Sequence, residues 1–138
     1  MNTLDVGACR PLGVGAGSLA LLAALPAEER ARTIAGNAER YGRYGALTGS
    51  RVAAAVRQSH RDGYAFNRAF IIPEVGAVGV PFEEADGRLA GAISVATVLT
   101  RLRPRRRAAI RDAIAAAVTR AGFVVRAAGA GGRADAAD

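Results

Sequence analysis

The residues with the most chemical potential lie close together near the start of the chain. Gly13, Gly15 and Gly17 alternate with Val14 and Ala16, and Ser18 follows before the apolar run LALLAAL. Glycine lets a backbone come close to a ligand, and the first N–H groups of a helix have no partner inside it. A turn of this kind can hold an anion. It can equally be a tight packing turn. It is not a dinucleotide fingerprint, because Ser18 stands where the third glycine would fall. Nor is it a phosphate-binding Walker loop, since the chain contains no Lys.

Two further polar residues could face a ligand. Ser94 interrupts the apolar run LAGAISVATVL, and Asn67 ends the strand-like stretch YAFN. A nucleophilic Ser94 would need a neighbouring base and a sharp turn, and local bonding to backbone is the ordinary alternative. Asn67 suits turn chemistry, or its amide could donate to a ligand carboxylate. His60 reads as a lone surface histidine on a helix beside Arg57 and Arg61. Cys9 is the only cysteine, so no internal disulfide can form and a cytoplasmic location is expected. One His and one Cys cannot build a zinc site, and no cofactor is called for. Glu83, Glu84 and Asp86 read as a solvated hairpin tip.

Nineteen basic residues, all Arg, oppose twelve acidic ones. Arg without Lys points to codon bias, which weakens any inference from charge to nucleic acid. The densest patch is RLRPRRR at 101–107, read as a solvated loop, with contacts to a subunit or to DNA as alternatives. No apolar run is long enough to span a membrane.

Elements must position these residues. At 138 residues the chain is one domain. Residues 3–10 could be a strand. A short buried helix capped by Ser18 follows, then one amphipathic helix over 27–43. Its expected inward stripe is Ala31, Ile34, Ala35, Ala38 and Tyr41. A second helix covers 49–61 with Thr48 or Ser50 as cap, and a last one covers 105–121. Between them, VGAVGVPF (75–82) and LAGAISVATVL (89–99) flank Asp86-Gly87 and read as an antiparallel hairpin. Gly and Ala inside both strands predict that something packs close to the backbone there. The tail 127–138 reads as disordered, leaving a domain over 1–126. The order of elements predicts an α+β fold, an antiparallel sheet flanked by helices.

Two long stretches carry a resemblance. RPLGVGAGSLALLAALPAEE (10–29) resembles the segment that opens the ligand pocket of IclR-type transcriptional regulators, with its Pro-Leu, small-residue turn and helix ending in Leu-Pro. VRQSHRDGYAFNRAFIIPEVGAVGVPFEEADGRLAGAISVA (56–96) is similar to the second half of the same region. The resemblance covers about residues 3–123.

It implies a GAF-like effector-binding domain, incomplete at the N-terminus. The winged helix-turn-helix would be absent, so that DNA is reached only through that missing domain. The effector would be a small organic acid and the assembly a dimer or tetramer. The implied pocket residues are Gly15, Ala16, Gly17 and Ser18 at the helix start, Asn67 after the Gly-Tyr-Ala step, and Ala77, Ser94 and Ala96 on the strands. Ala77 and Ala96 stand where hydroxyl or thiol side chains are common in the family. That implies a roomier, more apolar pocket, suited to an aromatic or longer acid. The alternatives are a small enzyme using the GVGAGS turn as an anion site, and a dimerisation module without sensing.

Overall fold

The computed structural model describes residues 5–68 and 71–126. Its organising element is the central strand β2 (Val75–Glu83), which alternates branched and small residues. Because side chains alternate across a strand, β2 shows two different faces. Val78 and Val80 look one way and are fully buried. Ala77 and Gly79 look the other way.

Two antiparallel neighbours flank it. β1 (Ala65–Arg68) pairs so that Asn67 lies opposite Ala77 and Ala65 opposite Gly79. β3 (Leu89–Val98) pairs on the other side, with Ala96 opposite Ala77 and Ser94 opposite Gly79. The expected hairpin is therefore present, turning at Gly87 with φ +86°. Arg88 fastens the turn: its backbone N–H and its guanidinium both donate to Asp86. These bonds hold the Asp86 carboxyl below its ordinary value. A short β4 (Val124–Val125), which the sequence pattern did not suggest, adds to the far end of β2 opposite Phe82 and Glu83. β3 pairs with β2 alone, so its outer edge meets no strand among the described residues. Ile93, Val95 and Val98 on β3 are exposed.

Helices cover both faces. α5 (Pro104–Arg120) opens with Pro at its first turn, where the missing N–H costs nothing. It lays Ile114 and Val118 on Val78 and Val80, joined by Tyr64 and Leu102. The opposite face carries α1 (Ala16–Ala24) and, outside it, α4 (Gly49–Asp62). Thr48 caps α4 through its hydroxyl, and Gly63 ends it in a left-handed turn. Leu19, Leu22, Val52, Val56 and Tyr41 form this second core. The Tyr41 hydroxyl donates to the Leu12 carbonyl at 2.7 Å, tying the glycine turn to the helical layer. Burial pushes the Tyr41 pKa up.

Four expectations are corrected. Residues 5–10 form no strand but a turn at 6–7 within irregular chain; Gly7 at φ +84° breaks any extension. The 27–43 helix is two pieces, α2 (Ala27–Gly36) and α3 (Ala38–Tyr41). Asn37 interrupts it at φ −108°, ψ 6°, with its amide turned back to the Thr33 carbonyl. Of the expected stripe Tyr41 is buried and Ile34 packs partly buried against the core, while Ala31, Ala35 and Ala38 are exposed because their short side chains do not reach it. The 101–107 patch is not a loop: Arg101 closes a 3-10 turn and Arg105, Arg106 and Arg107 lie in α5. Arg107 stacks over the Phe66 ring, 4.1 Å from its centroid. The tail 127–138, and residues 3 and 4 of the expected first strand, lie outside the described residues.

Candidate functional site

The start of α1 rests directly on the sheet. Gly79 makes this possible: a Cβ there would overlap the Ala16 carbonyl oxygen and sit 2.6 Å from its carbon. The close approach expected from small strand residues is thus made by a helix. Gly15 stands before α1 at φ +90°, a conformation that suits glycine. The helix consequently begins at Ala16, two residues before the expected Ser18 cap. Ser18 lies inside the first turn, its hydroxyl donating back to Val14 O and accepting from Gly13 N–H at 3.2 Å. Its side chain staples the turn, which leaves the backbone for other work. The N–H groups of Ala16, Gly17 and Ser18 have no partner within the helix.

These groups border a cavity of about 300 Å³ between α1 and the sheet. Gly15, Ala16, Gly17, Ser18, Asn67, Ala77, Ser94 and Ala96 all line it. Strand register explains the grouping. Asn67, Ala77 and Ala96 lie side by side across β1, β2 and β3, and Ser94 stands next to Ala96 on the same face. Asn67 is buried, and its amide makes no hydrogen bond among the described residues. Ser94 and Ala96 are exposed, on the open side of the cavity.

Six lining residues went unnoticed in the sequence. Arg10 and Val14 come from the glycine turn and its approach. Ile71, Ile72 and Val75, with Gly76, come from the irregular segment before β2 and the start of that strand. Such segments have no periodicity to expose their orientation. Glu74 in this segment holds φ +67°, an uncommon conformation for a residue with a side chain. Its carbonyl accepts from Leu99 N–H at 2.7 Å, which locks the segment to the end of β3.

Other candidate groups lie elsewhere. His60 is half-buried rather than a free surface histidine; its Nε2 lies 2.9 Å from the Ala23 carbonyl, at the far end of α1. Glu84 and Asp86 pair with Arg88 at the hairpin turn. Cys9 is exposed. Among the described residues no group of three His, Cys, Asp or Glu could hold a metal ion, and no helix is long and apolar enough to cross a membrane.

Comparisons with known proteins agree on one family. Residues 1–121 match the family described as bacterial transcriptional regulator IclR C-terminal. No curated protein matches the chain. A regulator of the IclR type from a Silicibacter species is 23% identical with a TM-score of 0.66, over 86% of this chain and 49% of that one. The Agobacterium tumefaciens repressor BlcR is 15% identical with a TM-score of 0.67, over the same shares. An IclR homolog from Microbacterium hydrocarbonoxydans, solved with 4-hydroxybenzoate, is 20% identical with a TM-score of 0.64, over 82% of this chain and 47% of that one. The chain therefore spans about half the length of these structures. With nearly nine-tenths of its residues inside the family match, the chain belongs to the IclR family of bacterial transcriptional regulators, in the region that forms their C-terminal domain.

Proposed function

We propose that this chain is a ligand-sensing domain that binds a small organic acid between α1 and the sheet. In doing so it would modulate DNA binding by an N-terminal domain outside this sequence. One observation carries the reading: the N–H groups at the start of α1, which have no partner within the helix, and the buried amide of Asn67, which makes no hydrogen bond among the described residues, border the same cavity. A carboxylate would be held by the N–H groups of Ala16, Gly17 and Ser18, where the helix dipole favours negative charge. Asn67 would fix its orientation, and Arg10 adds positive charge to the lining. Ile71, Ile72, Val75, Ala77 and Ala96 would hold an apolar body. Small side chains at 77 and 96 favour an aromatic acid, and the structure solved with 4-hydroxybenzoate supports that class.

The reading is allosteric. An acid that binds one arrangement of the domain more tightly shifts the population toward it, and the coupling is reciprocal. No chemical step is needed. Ser94 makes no hydrogen bond to a base among the described residues, and His60 is engaged at the other end of α1. The protein would act in the cytoplasm as a homo-oligomer. A dimerisation role without sensing is favoured by the β3 edge, which meets no strand among the described residues, with its exposed Ile93 and Val95.

Calorimetric titration of the full chain with 4-hydroxybenzoate tests the proposal. Saturable binding is expected. Ala77→Leu, which puts a larger side chain on the cavity floor, should weaken it by about tenfold or more, since crowding a packed contact costs on the order of 1–3 kcal/mol. Unchanged affinity in that variant, or no binding of any aromatic acid by well-folded protein, would remove the sensor reading.

A further inference from the structure

A second hollow lies on the far side of the helical layer, between α2 and α4, with a volume of about 430 Å³. It exists because the facing side chains are short. α2 brings Ala27, Ala31 and Ala35 with Ile34, α4 brings Ala53 and Val56, and α2 buries none of its residues. Two helices meeting through alanines leave room that neither fills.

The groove has a charged rim of one sign. Arg30 on α2 and Arg57 and His60 on α4 line it, and among the described residues no carboxylate does. Arg57 is exposed and makes no hydrogen bond or ion pair among the described residues. Arg30 donates to Leu25 O at 3.0 Å and to Ala23 O at 3.3 Å, and His60 Nε2 approaches the same Ala23 carbonyl. Donors therefore converge on one end of an apolar trough.

We infer that this groove is a second ligand site, for an amphiphilic monocarboxylate whose hydrocarbon tail lies between α2 and α4. Its carboxylate meets Arg57 first. The Arg30 guanidinium has further donor capacity beyond its bonds to the end of α1. The occupant is a small acid rather than a helix from another protein, because the apolar floor is short and the rim donors cluster instead of running along it. The site differs in its residues from the cavity at the sheet and does not depend on that cavity binding anything. The groove's donors Arg30 and His60 meet the C-terminal end of α1, whereas the sheet cavity borders the first turn of that helix.

The probe is octanoate, with octanol as the uncharged control, titrated calorimetrically into the full chain. Octanoate should bind, and more tightly than octanol. In a chain that also carries Ala77→Leu to close the sheet cavity, Ala53→Leu, which fills the trough, should abolish the remaining binding of both. Arg57→Ala should weaken octanoate by about tenfold and leave octanol unchanged, as expected for one charge-assisted hydrogen bond. Ala77→Leu, at the sheet cavity, should leave octanoate binding intact. Loss of octanoate binding in Ala77→Leu but not in Ala53→Leu would put the ligand at the sheet and overturn the inference. So would absence of octanoate binding by folded protein, or a change of molar mass by light scattering in Ala53→Leu, which would make the groove a contact between copies. A failed sheet cavity and a failed groove are distinguished by which of the two leucine variants responds.

Discussion

The two faces of β2 were built for different ends from one strand. Toward α5 it presents Val78 and Val80, which meet Ile114 and Val118 in a filled core. Toward α1 it presents Ala77 and Gly79, and the helix comes down until its backbone touches the strand. The branched face gains stability from buried methyl groups. The bare face gains proximity, and where α1 stops short of the sheet edge it leaves a cavity bordered by backbone donors. Packing and binding thus divide between alternate residues of a single element.

Substitutions can break that comparison. The largest effect is expected for Gly79→Ala. One methyl group must displace the Ala16 peptide, which is backbone and cannot rotate away, so the loss should reach about 3 kcal/mol or more. Denaturant midpoints would read it, and loss of 4-hydroxybenzoate binding should accompany it. Val78→Ala on the opposite face should cost about 2–3 kcal/mol by leaving a void, with ligand affinity unchanged in the folded fraction. A shared loss of affinity in both variants would show that the faces are not separable. The smallest effect is expected for Glu74→Gly, in the segment that leads into β2. Relief of its left-handed backbone should raise stability by at most about 1 kcal/mol, measurable as a small increase in midpoint.

Periodicity made the hairpin legible: Val alternating with Gly or Ala on either side of Asp86-Gly87 has few other solutions. Helices α4 and α5 were legible for similar reasons, through Thr48, Gly63 and the Ile114–Val118 spacing. The helical layer was harder. The alanines of α2 mark a helix face without saying what covers it, and the Gly36-Asn37 pair, a helix-ending signal, was masked by the continuous apolar spacing on either side of it. Ser18 looked like a cap because Ser often is one. Two positive-φ glycines instead moved the helix start upstream and turned the serine inward. The grouping of Gly15 to Ser18 with Asn67, Ala77, Ser94 and Ala96 came from resemblance to a family, since no local pattern links residues so far apart. Arg10, Ile71 and Ile72 fell outside it because irregular chain carries no repeat to read.

Among the described residues, the strand that gives the cavity Ser94 and Ala96 is also the rim of the sheet, and alternate residues along it turn a row of amide and carbonyl groups outward. Such a row templates the addition of another strand. Any polypeptide that docks along it would raise a wall beside Ser94 and deepen a shallow basin into an enclosed chamber. How strongly an acid is held would then be set in part by a neighbour that never touches α1.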